Sequence, residues 1–228
     1  MAKSKIRVDL FYDVISPYSW VAFELLCRNR SVWNSMQLNL RPFLLGAIMK
    51  ESGNKPPMFV ENKSRYMMNE FALLNKYYQI PLKIPSNFTE LAIKKGSLRA
   101  MRFVTATDLV TNSTQTEHVS RELWKRIFTN EPGLDISEES SFREVADKLA
   151  FESSLFERIL KAMDEDETKQ RLKQNTEEAL REGAFGAPTI LVHKADTTHM
   201  LFGSDKIELL AFLLGEKYMG PLTEHSKL

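Results

Sequence analysis

The chain has 228 residues, 43% of them hydrophobic, which suffices for one full core or for one domain carrying a large insertion. Its 31 basic and 30 acidic residues are interleaved and leave a net charge of +1, so no basic stripe points to nucleic acid and no acidic tail to a cationic partner. No apolar run approaches the length of a membrane span.

Met1-Ala2-Lys3-Ser4-Lys5 leads straight into a strand pattern, so no signal peptide is expected. Ile6, Val8, Leu10 and Tyr12 alternate with Arg7, Asp9, Phe11 and Asp13, which predicts a strand with one face well buried. Ser16-Pro17-Tyr18-Ser19-Trp20 then opens a helix running to about residue 30. Pro17 suits a first helical position, where its missing N–H has no intrahelical partner to lose. Ser16 falls at the N-cap, where its oxygen accepts from the free N–H of Tyr18 or Ser19. The remaining N–H groups point outward and favour an anion. Two compatible readings of Ser16 stay open: a helix cap and nothing more, or a cap whose hydroxyl proton also reaches a bound anion.

Trp20, Phe23 and Cys27, widened by Val21, Leu25 and Leu26, form the apolar stripe of that helix. Cys27 is the only cysteine, so an internal disulfide is impossible; it reads as a small core residue, and a reducing compartment fits. Met36, Leu38 and Leu40 alternate with Gln37, Asn39 and Arg41 in a second strand, completing a βαβ unit. The Gly, Asn and Pro content of 51–57 predicts a loop. Helical patterns follow near 61–78, 97–111, 116–130, 138–149, 152–163 and 165–182, separated by Pro81, Pro85, Gly96 and the Glu131-Pro132-Gly133 turn. Gly183 can end the last of them. Residues 189–193 and 199–202 read as short strands, and Gly203-Ser204-Asp205 as the cap of a final helix over about 206–216.

The order is therefore βαβ, many helices, then ββα, an α/β chain whose outer pieces make one domain. With a proline opening the third strand, it resembles the thioredoxin fold. Oxidoreductases of that fold open the helix with Cys-x-x-Cys; here Ser16 and Ser19 stand at those positions, so thiol–disulfide exchange is excluded for lack of thiols. The helical insertion resembles that of the bacterial periplasmic disulfide oxidoreductases. Phe11-Tyr12-Asp13-Val14-Ile15-Ser16-Pro17-Tyr18-Ser19-Trp20, Ser52-Gly53-Asn54-Lys55-Pro56-Pro57, Lys95-Gly96-Ser97-Leu98-Arg99-Ala100-Met101-Arg102-Phe103, Gly183-Ala184-Phe185-Gly186-Ala187-Pro188 and His199-Met200-Leu201-Phe202-Gly203-Ser204-Asp205 carry a further likeness. Through these stretches nearly the whole chain resembles the kappa class of glutathione transferases.

The resemblance implies a thioredoxin-like unit of residues 1–58 plus 183–228, interrupted by an all-helical insertion over 59–182. It also implies glutathione as cosubstrate, a small electrophilic second substrate, a homodimer, and a mitochondrial or peroxisomal location. Ser16 is then the donor that holds the glutathione sulfur as a thiolate, at a turn shared with Pro17 and Tyr18. Ala187, before a cis Pro188, pairs with the cysteinyl backbone; Ser204 and Asp205 take the γ-glutamyl end; Asn54 and Lys63 lie near the glycyl end. Ala187 departs from the larger aliphatic residue often found there, which costs packing while leaving its backbone role intact. Related 2-hydroxychromene-2-carboxylate isomerases make a glutathione-dependent isomerase the alternative, and a non-catalytic peroxisomal binding protein a second one.

Other readings are weaker. A serine hydrolase lacks a base, since no histidine stands in a recognisable relation to Ser16. Met67, Met68, Phe71, Phe103, Trp124 and Phe128 are either an apolar acceptor pocket or plain core at helical spacing. No ligand set surrounds His193 and His199, so no metal is expected. Ser226-Lys227-Leu228 matches a peroxisomal import address read by a receptor, after a polar stretch, 223–225, expected to be exposed; the other reading is a chance tripeptide on a frayed tail.

Overall fold

The computed structural model describes residues 5–228; the expectation about a signal peptide falls largely on residues 1–4, outside the described residues. A four-stranded sheet lies at the centre, built from β1 (Ile6–Tyr12), β2 (Met36–Pro42), β3 (Thr189–His193) and β4 (Thr198–Phe202) in the order β2-β1-β3-β4. β1 runs parallel to β2, with Leu10 opposite Leu40, and antiparallel to β3, with Leu10 opposite Ile190. β3 and β4 pair antiparallel. The first and last segments of the chain thus meet in one sheet, as the βαβ and ββα patterns require.

Helix α1 (Pro17–Asn29) follows β1 and is buried at every residue except Tyr18. An amphipathic stripe would have sufficed for a surface helix. Here α5 (Thr116–Phe128), from the middle of the chain, covers the outer side as well. Trp124 packs on Phe23 and Trp20, with ring centroids 4.8 and 6.5 Å apart, and Phe128 stacks on Trp20. The same cluster takes in Val8, Leu10, Tyr12, Ile190 and Val192 from one sheet face. Burial on all sides also encloses charge. The Arg121 guanidinium donates to both oxygens of Glu24 at 2.8 and 3.1 Å and to Glu117 at 3.2 Å. Burial pushes the Glu117 carboxyl up, but the Arg30 hydrogen bond and the nearby Arg30, Arg121 and Lys227 charges outweigh it and hold it at about 2.

The expectation that β1 buries a single face is corrected. Asp9 and Phe11, on the opposite face, are as buried as Val8 and Leu10. Phe11 and Leu191 pack against Phe43, Ile48, Ala179 and Ala184. Asp9 is satisfied by His193 at 2.9 Å and by the Asn39 amide at 2.9 Å.

The loop expected over 51–57 also needs correction at its start. Helix α2 spans Leu45–Ser52 and ends at Gly53, whose φ of +71° is the left-handed conformation that terminates helices. Beyond it come α3 (Glu61–Tyr78), α4 (Leu98–Val110), α6 (Glu139–Lys148), α7 (Ser153–Met163) and α8 (Asp166–Arg181), each within one or two residues of its expected range. A π-helical turn, Glu90–Lys95, precedes α4 and was not legible in the pattern. α3 is mostly exposed and buries only Phe71 and Tyr78.

The final helix, α9, is shorter than expected, at Ile207–Leu214. Its N-cap position is Lys206, without a side-chain cap bond, so Ser204 and Asp205 lie in the turn before the helix and do not cap it. The last residues are not frayed: Arg28 donates to the Pro221 carbonyl at 3.1 Å and to Ser226 at 3.2 Å, and Lys227 reaches Glu117 at 3.3 Å. Glu224 and His225 are exposed as expected, whereas Thr223 and Ser226 are half-buried. Among the described residues no helix is long and apolar enough to cross a membrane.

Candidate functional site

The sequence around Ser16 folds as its chemistry dictates. Ser16 holds extended backbone angles (φ −89°, ψ 117°), Pro17 takes the first helical position, and Ser16 Oγ accepts from Ser19 N–H at 3.1 Å. That satisfies one orphan donor of α1. The Tyr18 N–H, at the next position, has no intrahelical acceptor and remains available. Ser16 is 5% exposed, so its hydroxyl is nearly buried at the N-terminus of α1.

Facing it is the loop before β3. The Ala187–Pro188 peptide is cis, and Ser16 Oγ donates to the Ala187 carbonyl at 3.4 Å. This bond is long, so the proton can be redirected to a stronger acceptor at small cost. The Ala187 N–H has no partner among the described residues. Gly186 leaves room beside it: a Cβ there would sit 2.9 Å from the Phe202 ring and 3.6 Å from the Asn54 side-chain nitrogen. Asn54 itself donates to the Phe185 carbonyl at 2.6 Å, fastening the segment after α2 to this loop.

The turn after β4 completes the rim. Gly203 N–H donates to the Pro188 carbonyl at 3.1 Å, which places Ser204 and Asp205 next to the cis-proline loop. Asp205 is exposed and pairs with Lys206, a partner that sequence reasoning missed. The turn of Ser16, Pro17 and Tyr18, the segment of Asn54 and the turn of Ser204 and Asp205 therefore all meet the loop that carries Ala187. Lys63 does not join them through any side-chain contact: it is exposed on α3, and its ammonium forms no hydrogen bond or ion pair among the described residues.

Several contacts that hold this site were not foreseen from sequence. The Tyr18 hydroxyl donates to Glu70 of α3 at 2.5 Å, Tyr66 donates to the other Glu70 oxygen at 2.9 Å, and the Tyr18 ring lies 4.7 Å from that of Phe71. Burial, then the Glu70 hydrogen bond and charge, raise the Tyr18 hydroxyl, so it stays protonated. Trp124 donates from Nε1 to the Ser16 carbonyl at 3.2 Å. Asp13, wholly buried, accepts from Ile15 N–H at 3.0 Å, from Leu45 N–H at 2.9 Å and from Ser97 Oγ at 2.7 Å. Burial raises its carboxyl to about 6, against the lowering effect of those three donors.

Of the six residues weighed as an apolar acceptor pocket, Phe71, Phe103, Trp124 and Phe128 are core. Phe103 stacks on Phe142 at 4.6 Å, well inside the helices. Met67 is half-buried and Met68 is exposed on α3. Those two alone stay accessible to a ligand.

Comparison with known proteins identifies the fold and the family. Residues 7–215 match the family model of the DSBA-like thioredoxin domain. The chain is 47% identical over 215 residues to glutathione S-transferase kappa 1 of Homo sapiens, covering 94% of this chain and 93% of that protein. It is 34% identical over 212 residues to glutathione S-transferase kappa 1 of Caenorhabditis elegans, covering 91% and 90%. A solved 2-hydroxychromene-2-carboxylate isomerase superposes with a TM-score of 0.71 over 92% of this chain and 94% of that one, at 21% identity, which is a likeness of fold. A thiol-free helix N-terminus against a cis-proline loop, on a DSBA-like thioredoxin fold with relatives this similar, means that the chain belongs to the glutathione S-transferase kappa family.

Proposed function

We propose that this protein is a glutathione transferase that activates the glutathione thiol and adds it to a small electrophile. The observation that carries the reading is Ser16 Oγ at the α1 N-terminus, 5% exposed and 3.4 Å from the carbonyl of Ala187 in the facing loop. An ordinary thiol has a pKa of ~8.5 and is mostly protonated near neutrality. Lowering it by two units needs about 2.7 kcal/mol of preference for the anion. A hydrogen bond to a charged group supplies about 1.5–3 kcal/mol, and a helix N-terminus about 0.3–1 kcal/mol more. These two sources suffice without a general base. Ser16 is thus a donor to the nucleophile and not the nucleophile, with the Tyr18 N–H as a second donor.

Glutathione then lies along the loop as an added strand, its cysteinyl backbone on the Ala187 N–H and carbonyl. Its γ-glutamyl end meets Ser204 and Asp205, the latter exchanging Lys206 for the ligand ammonium. Asn54 and Lys63 face the glycyl end. The binding unit is residues 1–58 plus 183–228, and 59–182 is the helical insertion. The acceptor is a small electrophile, and the working unit is a homodimer. Ser226-Lys227-Leu228 is read as a peroxisomal import address bound by its receptor, with the mitochondrion as the other location implied by family likeness.

The test is a titration of bound glutathione by thiolate ultraviolet absorbance against pH, in the native protein and in Ser16→Ala. A lowered thiol pKa that the variant loses while still binding glutathione is the expected result. An unshifted pKa in both would reduce Ser16 to a cap and overturn the reading.

A further inference from the structure

The Asp13 carboxylate is wholly buried, and no basic side chain pairs with it among the described residues. A buried, unpaired carboxylate is an expensive group to keep. A structural bracket alone does not need one, because neutral side chains also join loops. What distinguishes this position is three donors arriving from three places. Ile15 N–H belongs to the turn before α1, Leu45 is the first residue of α2, and Ser97 immediately precedes α4. Only a carboxylate of this length accepts at both ends; an asparagine would set its own amide N–H against one of the donors. The same residue's main-chain carbonyl accepts from Ser16 N–H at 3.0 Å. Asp13 therefore fixes the residue before Ser16 and the backbone of Ser16 itself.

We propose that Asp13 is a positioning residue for the transferase reaction, its carboxylate locking the turn that aims the Ser16 hydroxyl at the glutathione sulfur. This rests on the reading of Ser16 as the thiolate donor. Asp13 touches no substrate. It acts by denying the turn the freedom that would let Ser16 Oγ rotate away, in a site where donor direction decides the strength of the bond. Ser97, which lies in one of the resemblance-bearing stretches, acts through it from the start of α4.

The experiment compares the native protein with Ser16→Ala, Asp13→Asn and Ser97→Ala. It reads bound-thiol pKa, kcat and KM for glutathione, and Tm. Asp13→Asn is expected to raise the bound-thiol pKa by about one unit, a tenfold loss of thiolate below that pKa. Its kcat should fall with KM for glutathione little changed. Ser97→Ala should move the same quantities in the same direction by less. If both variants lose only Tm and keep the native thiol pKa and kcat, Asp13 is a structural bracket and the proposal is overturned. Should Asp13→Asn fail to fold, Ser97→Ala decides on the same readouts. If Ser16→Ala leaves the thiol pKa unmoved, the donor reading fails and the proposal falls with it. A shift lost in Ser16→Ala but kept in the other two overturns the role of Asp13 alone.

Discussion

The indole N–H of Trp124 donates to the carbonyl oxygen of Ser16 at 3.2 Å, joining α5 to the first residue of the site across a sequence separation of 108. That carbonyl also accepts Trp20 N–H at 3.3 Å, the first helical bond of α1. Trp124→Phe keeps an aromatic ring against Phe23 and Trp20 and removes the donor. It is expected to cost about 1 kcal/mol of stability from the lost hydrogen bond, together with a packing loss from the smaller ring. Thermal unfolding measures the first effect. Steady-state kinetics measures the second consequence, a severalfold fall in kcat with KM for glutathione near the native value. A normal kcat would show that the α5 contact supports the fold without tuning the site.

Gly186 is the steric key of the cis-proline loop. A methyl group there would meet the far edge of the Phe202 ring at 2.9 Å. Phe202 is partly exposed, so its ring can swing aside, and the cost is the Phe185–Phe202 contact now at 4.3 Å. Gly186→Ala is expected to lose about 1 kcal/mol of aromatic packing and to weaken glutathione binding through the disturbed Ala187 backbone. Gly186→Ala with Phe202→Ala removes the clash and should recover much of the binding, measured by isothermal titration. Equal weakening in single and double variants would mean that the collision is elsewhere.

Asp13 sets a sign for the pH dependence of stability. Its carboxyl is raised by burial from 3.8 to about 6 in the folded state. The folded protein therefore binds this proton more tightly than the unfolded chain. The contribution is fully present below about pH 4 and is lost as pH rises through about 6. Two units correspond to about 3 kcal/mol. Glu117 works in the opposite sense: held at about 2, its contribution is present above the unfolded carboxylate range and lost in strong acid. Only the difference between native protein and Asp13→Asn isolates the first group. Urea unfolding of both from pH 4 to 7 should show the native protein losing stability relative to the variant as pH rises. A constant difference would place the Asp13 carboxyl outside that window.

Much of this architecture was legible in the sequence because it rests on local patterns. Alternation marked β1 and β2, period and breakers marked the helices, and Ser16-Pro17 marked a cap and a first turn. What stayed hidden depends on partners distant in sequence. Nothing local in Trp20 to Asn29 says that α1 is covered on all sides; that follows from α5 arriving about a hundred residues later. The short helix α2 was masked at its end by the Gly, Asn and Pro content from 51 to 57, although Gly53 is the residue that stops it. Ser204 and Asp205 looked like a cap because they are cap-forming types, yet the helix begins beyond Lys206. Asp13, Glu70 and Trp124 have ordinary neighbours in sequence, and only the fold brings each to the Ser16 turn.

The buried charges beside α1 give the sharpest stability test. Arg121 and Glu24 are almost completely enclosed, and Glu24 also accepts from the Trp20 indole at 3.1 Å. Such a pair gives little net stability when whole, because desolvation offsets the attraction, but losing one partner strands a charge. Arg121→Met is therefore expected to destabilise the protein by about 3–5 kcal/mol, leaving Glu24 without its ion-pair partner and Glu117 with Arg30 and Lys227. Burial raises the thiol of Cys27 on the same helix, so the thiol stays protonated and unreactive in the native state. Its modification rate by a thiol reagent then reports opening of α1 from α5. Arg121→Met should speed that modification, and adding Glu24→Gln should slow it again by removing the stranded charge. If the double variant is no more stable than the single one, the loss comes from the packing of the arginine stem and its contact with the Phe23 ring, now at 5.2 Å, and the charge is not the cause.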